Sequence, residues 1–371
     1  MSEFAAAFAS EIRRAAHSVL FWWVLVIAPL TAMFILVAVF AGGQMRDLPV
    51  AAVDLDKSSA SRDFLRKADS LPSMRIAQAT DSQERGDALL RTGQACGVII
   101  IPRNFERDLQ ALRPAKIIAY FDGQHMPAGS VLRRDLTDLS GEFWKAFYVE
   151  ALERQGIRPQ KAQSLAATLS IDLRAPGNAS VDYRVFLDHG FLPVLIELSY
   201  LIYGVCRIKS EGAPGLGKSL GILAFAALFS WLWCSAIGFG LRCCGAAGNA
   251  CPYAEVIIMY LLLMICCTAQ ALFIAGITDN RLQGLMFVSG MASPALAFTG
   301  LTFPLTAMPY FAAFWAGLLP VTHVLTAESA ISQRGASLLS QLPSLEALAL
   351  LALVYAAAGI AFLRVRARSA A

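Results

Sequence analysis

Apolar and polar positions divide the chain into two textures. Apolar runs nearly free of charge cover roughly 20–41, 185–206, 219–240, 253–277, 284–305 and 345–363. A bilayer core about 30 Å thick takes about 20 apolar residues of helix, so each run predicts a span. The run at 185–206 is the least pure, with Asp188, His189, Pro193 and Glu197, but Leu192 to Cys206 is strongly apolar. A further apolar segment, 309–327, is broken by Pro320 and His323. Irregular backbone at membrane depth survives only against protein or water. That segment is therefore expected to be re-entrant or interfacial, packed on the spans near the outer face.

Between the first two runs, residues 44–184 alternate short strand-like and helix-like patterns. LPVAAVDLD, MRIAQAT, ACGVIIIP and AKIIAYFDG read as strands. SSASRDFLRKADS, SQERGDALLRTG and NFERDLQAL read as the helices between them, and longer helices follow over about 127–155 and 159–169. The alternation predicts a small α/β sandwich. Asp54, Asp56, Ser58 and Ser59 resemble an ion site at first sight. Asp56 or Ser58 stands where a helix N-cap belongs, and the cap is the preferred reading.

Composition agrees with membrane insertion. Of the 371 residues, 57% are hydrophobic and 16% charged, against roughly 25% charged in soluble domains. The net charge of +4 is small and dispersed, which argues against a nucleic-acid partner. Orientation follows from the basic residues. Six spans with an inside N-terminus place Arg13, Arg14, Arg207, Lys209, Lys218, Arg281, Arg364, Arg366 and Arg368 inside, and Arg242 and Arg334 outside. A seventh span would move the RVRAR tail outside. The expected fold is an α-helical membrane protein with six transmembrane helices plus an inserted α/β extracytoplasmic domain. Its parts are a cytoplasmic amphipathic helix (1–19), the first span (20–41), the α/β domain (42–184) and a five-helix membrane domain (185–371) with a re-entrant or interfacial segment near 306–327. Phe4, Phe8 and Ile12, set against Glu11, Arg13 and Arg14, give the first helix its expected membrane-surface face. Because the run after Arg14 exceeds a signal core of about 7–15 residues, an uncleaved signal-anchor is expected.

Little chemistry is visible. Gly212, Gly217, Lys218 and Ser219 fit the P-loop string, but the flanks read as membrane helices, whereas a P-loop needs a strand before it and a soluble helix after it. The string reads as a tight inner turn. His17, His125, His189 and His323 are scattered, so no catalytic or metal set is assigned. Cys244 and Cys251 are the most plausible disulfide pair in the loop near 243–251. Carboxylates within spans are functional by default. Glu197 lies well inside its run and is a site candidate, while Glu255 opens its helix at the interface.

The C-terminal third carries the most specific pattern. Thr299, Gly300, Phe303 and Pro304, the pair Met308–Pro309, then Leu319, Pro320, Thr322 and His323, and the pair Arg334–Gly335 resemble the permease subunits of ABC type-2 exporters. VDLDKSSASR, GVIIIPRNFERDL, DYR at 182–184 and LGK at 216–218 resemble that family's motifs in the same order. The loop between the second and third spans is shorter than usual there. The resemblance implies export of hydrophobic or amphipathic, drug- or lipid-like substrates; the expected location is a bacterial inner membrane, multi-pass, with both termini cytoplasmic. It also implies partners: a separate cytoplasmic ABC ATPase that holds ATP and Mg, a second permease (identical or sibling), and a periplasmic adaptor. No cofactor is expected on this chain. Arg13, Arg14, Arg207, Lys209, Gly217 and Lys218 are the expected coupling surface. Glu197, Phe303, Pro304, Met308, Pro309, Pro320 and His323 are the expected substrate path or gate. The competing reading is a membrane-anchored extracytoplasmic sensor or scaffold without transport. The absence of a long inner segment for signal output weighs against it.

Overall fold

The computed structural model describes residues 2–39, 45–113, 115–121, 126–167, 183–212, 214–243, 253–292, 295–300 and 303–369. It divides into two compact units, Met1–Gly43 with Ala175–Ala371, and Gln44–Arg174.

Helix α1 (Ser2–His17) opens the first unit. At Ser18 the helix breaks, and the Ser18 side chain accepts the Phe21 N–H to start the next. That next helix, α2 (Val19–Val39), is long and apolar enough to cross a membrane. Its Trp22–Ile27 stretch is π-wound, with the Ala28 N–H bonded to the Trp23 carbonyl. The wide turn lies just before Pro29, which has no N–H to give and whose ring crowds the carbonyl one turn back.

The second unit holds β1 (Leu48–Asp54), α3 (Ser59–Asp69), β2 (Met74–Thr80), α4 (Gln83–Arg91), β3 (Gly97–Ile101), α5 (Phe105–Gln110), β4 (Ile118–Phe121), α6 (Met126–Arg154) and α7 (Pro159–Ala167). The sheet order is β2–β1–β3–β4, with β1 parallel to β2 and β3, and β4 antiparallel to β3. All five residues of β3 are buried, as its unbroken GVIII run requires of a strand covered on both faces. Phe64, Phe105, Leu132 and Phe143 from α3, α5 and α6 fill one face. On the other, Ala51, Val53, Val98 and Ile100 lie under Leu89 and Leu90 of α4. Ser58 is the N-cap of α3, its side chain accepting the Ser61 N–H. Asp54 accepts the N–H groups of Asp56 and Lys57, and Asp56 accepts that of Glu106 at the start of α5. The acidic stretch is thus spent on turns and helix starts.

In the first unit the chain continues through α8 (Tyr183–Ser210), α9 (Leu216–Cys243), α10 (Tyr253–Ile277), α11 (Arg281–Ala292), α12 (Ala295–Phe298), α13 (Tyr310–Leu318), α14 (Pro320–Arg334) and α15 (Leu342–Ser369). Among the described residues, five helices are long and apolar enough to span a bilayer: Val19–Val39, Gly190–Ser210, Leu216–Cys243, Tyr253–Ile277 and Leu338–Val365. The number rises to six if Tyr310–Leu318 and Pro320–Ser332, bent by 89°, count as one broken span. The expected span at 284–305 falls on α11 and α12, with residues 293–294 and 301–302 outside the described residues. Gly300 (φ 83°) and Pro304 then lead into a 3₁₀ turn at Leu305–Ala307. Hydropathy registers apolar length but not the backbone direction that such residues set. At the centre of the unit, α10 packs on α15 through glycine. A Cβ on Gly359 would lie 2.7 Å from the Phe273 nitrogen, and one on Gly276 would lie 2.9 Å from the Phe362 Cβ. Small residues at such seams let helix backbones touch.

Candidate functional site

Two regions gather the polar groups of the membrane unit. The first joins α1 to the turn between α8 and α9. Tyr203, Arg207 and Glu211 recur at a spacing of four, which aligns them along one side of α8 and its end. Facing them is Glu11 of α1, whose side chain is only 1% exposed. Arg207 grips it with two parallel bonds, Nε to Oε1 at 2.7 Å and Nη2 to Oε2 at 2.9 Å. The Tyr203 hydroxyl donates to Oε1 at 2.6 Å. Arg207 Nη2 also reaches Glu211 Oε1 at 3.0 Å, and Arg14 Nη1 meets the same oxygen at 3.0 Å. Lys218, in the first turn of α9, closes the chain on Glu211 Oε2.

Burial pushes the Glu11 carboxyl up, but the hydrogen bonds from Arg207 and Tyr203, with the Arg207 and Arg14 charges, outweigh it and hold the group below its ordinary value. The Lys218 ammonium, followed by Arg207 against the opposing effect of burial, pulls Glu211 down to about 2. Both acids therefore stay ionised through the physiological range.

Steric fit accompanies the charge. Ala7, Glu11 and Ala15 form the buried stripe of α1. This corrects the expected place of Glu11, which faces the protein, while Ile12 and Phe4 of the expected membrane-surface face are exposed. Small side chains at 7 and 15 let α1 approach α9 closely, and glycine at 221 completes the approach. A Cβ there would stand 2.6 Å from the Phe4 carbonyl oxygen and 2.7 Å from the Ala7 Cβ.

Of the expected coupling residues, Arg14, Arg207 and Lys218 share this network. Gly217 lies beside Glu3, 3.4 Å from its Oε2 if it carried a Cβ. Lys209 donates instead to the Thr278 carbonyl beyond the end of α10. Arg13 is exposed. The P-loop-like string sits between two long helices, with Gly212 at φ 79° and Gly217, Lys218 and Ser219 already within α9. The element directly before it is helix α8, not a strand.

The second region is the bent pair α13–α14. Leu319 breaks the helices, Pro320 takes the first position of α14, and Tyr355 of α15 donates to the Leu318 carbonyl at 2.9 Å. Glu197, buried within α8, accepts the Val321 N–H at the start of α14. A carboxyl oxygen suits that place, where the first N–H groups of a helix lack partners. Farther along α14, fully buried Glu328 accepts the Tyr260 hydroxyl from α10. His323 Nε2 lies 3.1 Å from the Gly317 carbonyl oxygen across the bend. Pro304 precedes the 3₁₀ turn, Met308 ends it and Pro309 precedes α13. Phe303, Tyr310, Phe311 and Phe314 are exposed. Glu255, in the first turn of α10, accepts the Leu338 N–H at 2.6 Å. The expected gate residues thus fall on consecutive elements, with Glu197 bonded to the last of them. The Cys244–Cys251 pairing falls outside the described residues.

Sequence reasoning missed Glu11, Tyr203, Glu211 and Glu328 as network members. The spacing 203–207–211 and the Ala7–Glu11–Ala15 stripe carried the signal for the first three. Glu328 was hidden in a segment read as an outer loop.

A set of apolar helices sufficient for five or six crossings, with buried ion pairs at one junction and a sharply bent helix pair, defines a multi-pass membrane protein. Residues 19–211, more than half of the chain, match the model of the ABC-2 family transporter proteins, and the chain belongs to that family. It is accordingly a membrane transport subunit of an ABC transporter, of the kind that usually works with an ATPase partner. Neither a curated protein nor a solved structure matches the chain.

Proposed function

We propose that this permease exports hydrophobic or amphipathic, drug- or lipid-like molecules across a bacterial inner membrane. It draws on ATP and Mg bound by a separate cytoplasmic ATPase. A second permease, identical or sibling, completes the pathway. Six crossings are proposed, with α11 and α12 in the fifth and α13–α14 re-entrant near the outer face. Both termini are then cytoplasmic and the α/β unit is extracytoplasmic. Arg13, Arg14, Arg207, Lys209, Gly217 and Lys218 form the coupling surface. Substrate passes between the spans of the two permeases toward an outer gate built from Phe303, Pro304, Met308, Pro309, Pro320 and His323, with Glu197 behind it.

The observation that carries this reading is the charge-linked junction of α1 with the α8–α9 turn, in a chain of this family. The test is co-purification with the ATPase of a neighbouring reading frame, reconstitution in liposomes, and ATP hydrolysis measured across candidate substrates. Stimulation by an amphipathic substrate, reduced by Lys218→Glu and Gly217→Asp, is the expected result. ATP turnover by this chain alone, or full stimulation in both variants, would overturn the reading.

A further inference from the structure

Glu11 is costly in its position. An amphipathic helix needs only an apolar face to lie on a membrane, and a charge at a helix seam is unfavourable unless paired. Glu11 is nevertheless the one acidic member of the stripe Ala7–Glu11–Ala15. Its two oxygens take three donor bonds, two from Arg207 and one from Tyr203. One turn later, Arg14 ties α1 a second time to the same network through Glu211. Sliding α1 by one residue would put Ser10 or Ile12 opposite Arg207 and leave a buried guanidinium without its carboxylate. Gly221 acts separately, since its missing side chain admits the Phe4 and Ala7 backbone.

We propose that Glu11 is the positioning residue that fixes the register of α1 on α8 and α9, so that α1, the 207–218 turn and the start of α9 move as one rigid body. Force applied at the turn then reaches the first span through α1. The coupling part of this inference rests on the proposed function, but the register part does not. Buried ion pairs are best attested in that registering role.

The test uses the full chain in lipid nanodiscs, with Cys96, Cys243, Cys244 and Cys251 changed to Ser and spin labels at Ala9→Cys and Gly215→Cys, both exposed positions. The expected result is one narrow distance distribution, unchanged when the partner ATPase and a non-hydrolysable ATP analogue are added. Glu11→Ala and Gly221→Val should each broaden it, while Glu11→Gln, which keeps an acceptor for Arg207, should leave it narrow. Substrate-stimulated ATP hydrolysis should be lost in the two disruptive variants and retained in Glu11→Gln. A broad distribution in the parent, or a narrow one in Glu11→Ala, would overturn the register. Broad distances with full stimulation would overturn the coupling role alone. Distances as expected, with no ATPase responding to the parent, would leave the register standing and remove the exporter reading. If Glu11→Ala does not fold, the double variant Glu11→Met/Arg207→Met, which leaves neither member of the buried pair without its partner, carries the test: its distribution should broaden, and a narrow one would overturn the register.

Discussion

Glu211 accepts from Arg14, Arg207 and Lys218, three cations on three elements. Its folded pKa, about 2, lies below the ordinary value of 4.5. A depressed carboxyl stabilises the folded state above the unfolded pKa and loses that contribution as pH falls through the folded one. Acid loosening of the α1 junction is therefore expected between about pH 4.5 and about pH 2. Glu211→Gln should remove that part of the acid dependence in protease-resistance measurements on the full chain. At Glu11 the expectation is larger. Removing one partner of a buried ion pair costs about 3–5 kcal/mol, so Glu11→Ala should lower the thermal midpoint in detergent far more than exposed Arg13→Ala. Reading Glu11 from sequence failed because charge was taken to mean exposure. The residues around it, alanines at 7 and 15, were the better guide to which side of α1 is covered.

Among elements, the strands of the α/β unit were legible because each is short, apolar and bounded by polar residues. MRIAQAT forms a strand over its whole predicted length, Met74–Thr80. The antiparallel pairing of β4 was not legible, because it depends on how the chain returns beside β3 and not on local pattern. The Ser58 cap was legible, since a serine before SASRDFLRK has a defined task at the helix start. Ser58→Ala should cost about 1 kcal/mol, read as faster amide hydrogen exchange over Ser59–Asp69. The turn after α12 was not foreseen, for residues 284–305 are apolar throughout and only backbone angles such as that of Gly300 show where helix gives way to a turn. At the α10–α15 seam, Gly359→Val would force a side chain against the Phe273 backbone. Overpacking of this kind costs about 1–3 kcal/mol, and a lowered melting temperature of the purified protein is the expected readout.

Across the whole molecule, apolar length located the membrane helices well, while the number of crossings turns on α11–α12 and the bent pair α13–α14. Six crossings with α13–α14 re-entrant predict that thiols introduced at Ser10→Cys and Arg364→Cys react with a membrane-impermeant reagent from the same face. Labelling from opposite faces would require an odd number of crossings. The charge junction and the Glu197–Val321 bond both pair residues more than a hundred positions apart in the chain. No local pattern announces such pairs, and only the packed helices bring them together.

The π turn at Trp22–Ile27 sets the phase of everything upstream of it. Each residue of an α-helix advances the azimuth by about 100°, so the surplus residue of a wide turn rotates the preceding segment by about that angle relative to a uniformly wound rod. Excising one position from 22–27 would therefore swing Ser18 and the exit vector of the N-terminal helix around the span, turning the Glu11 carboxylate away from its guanidinium without altering a single residue of the ion pair.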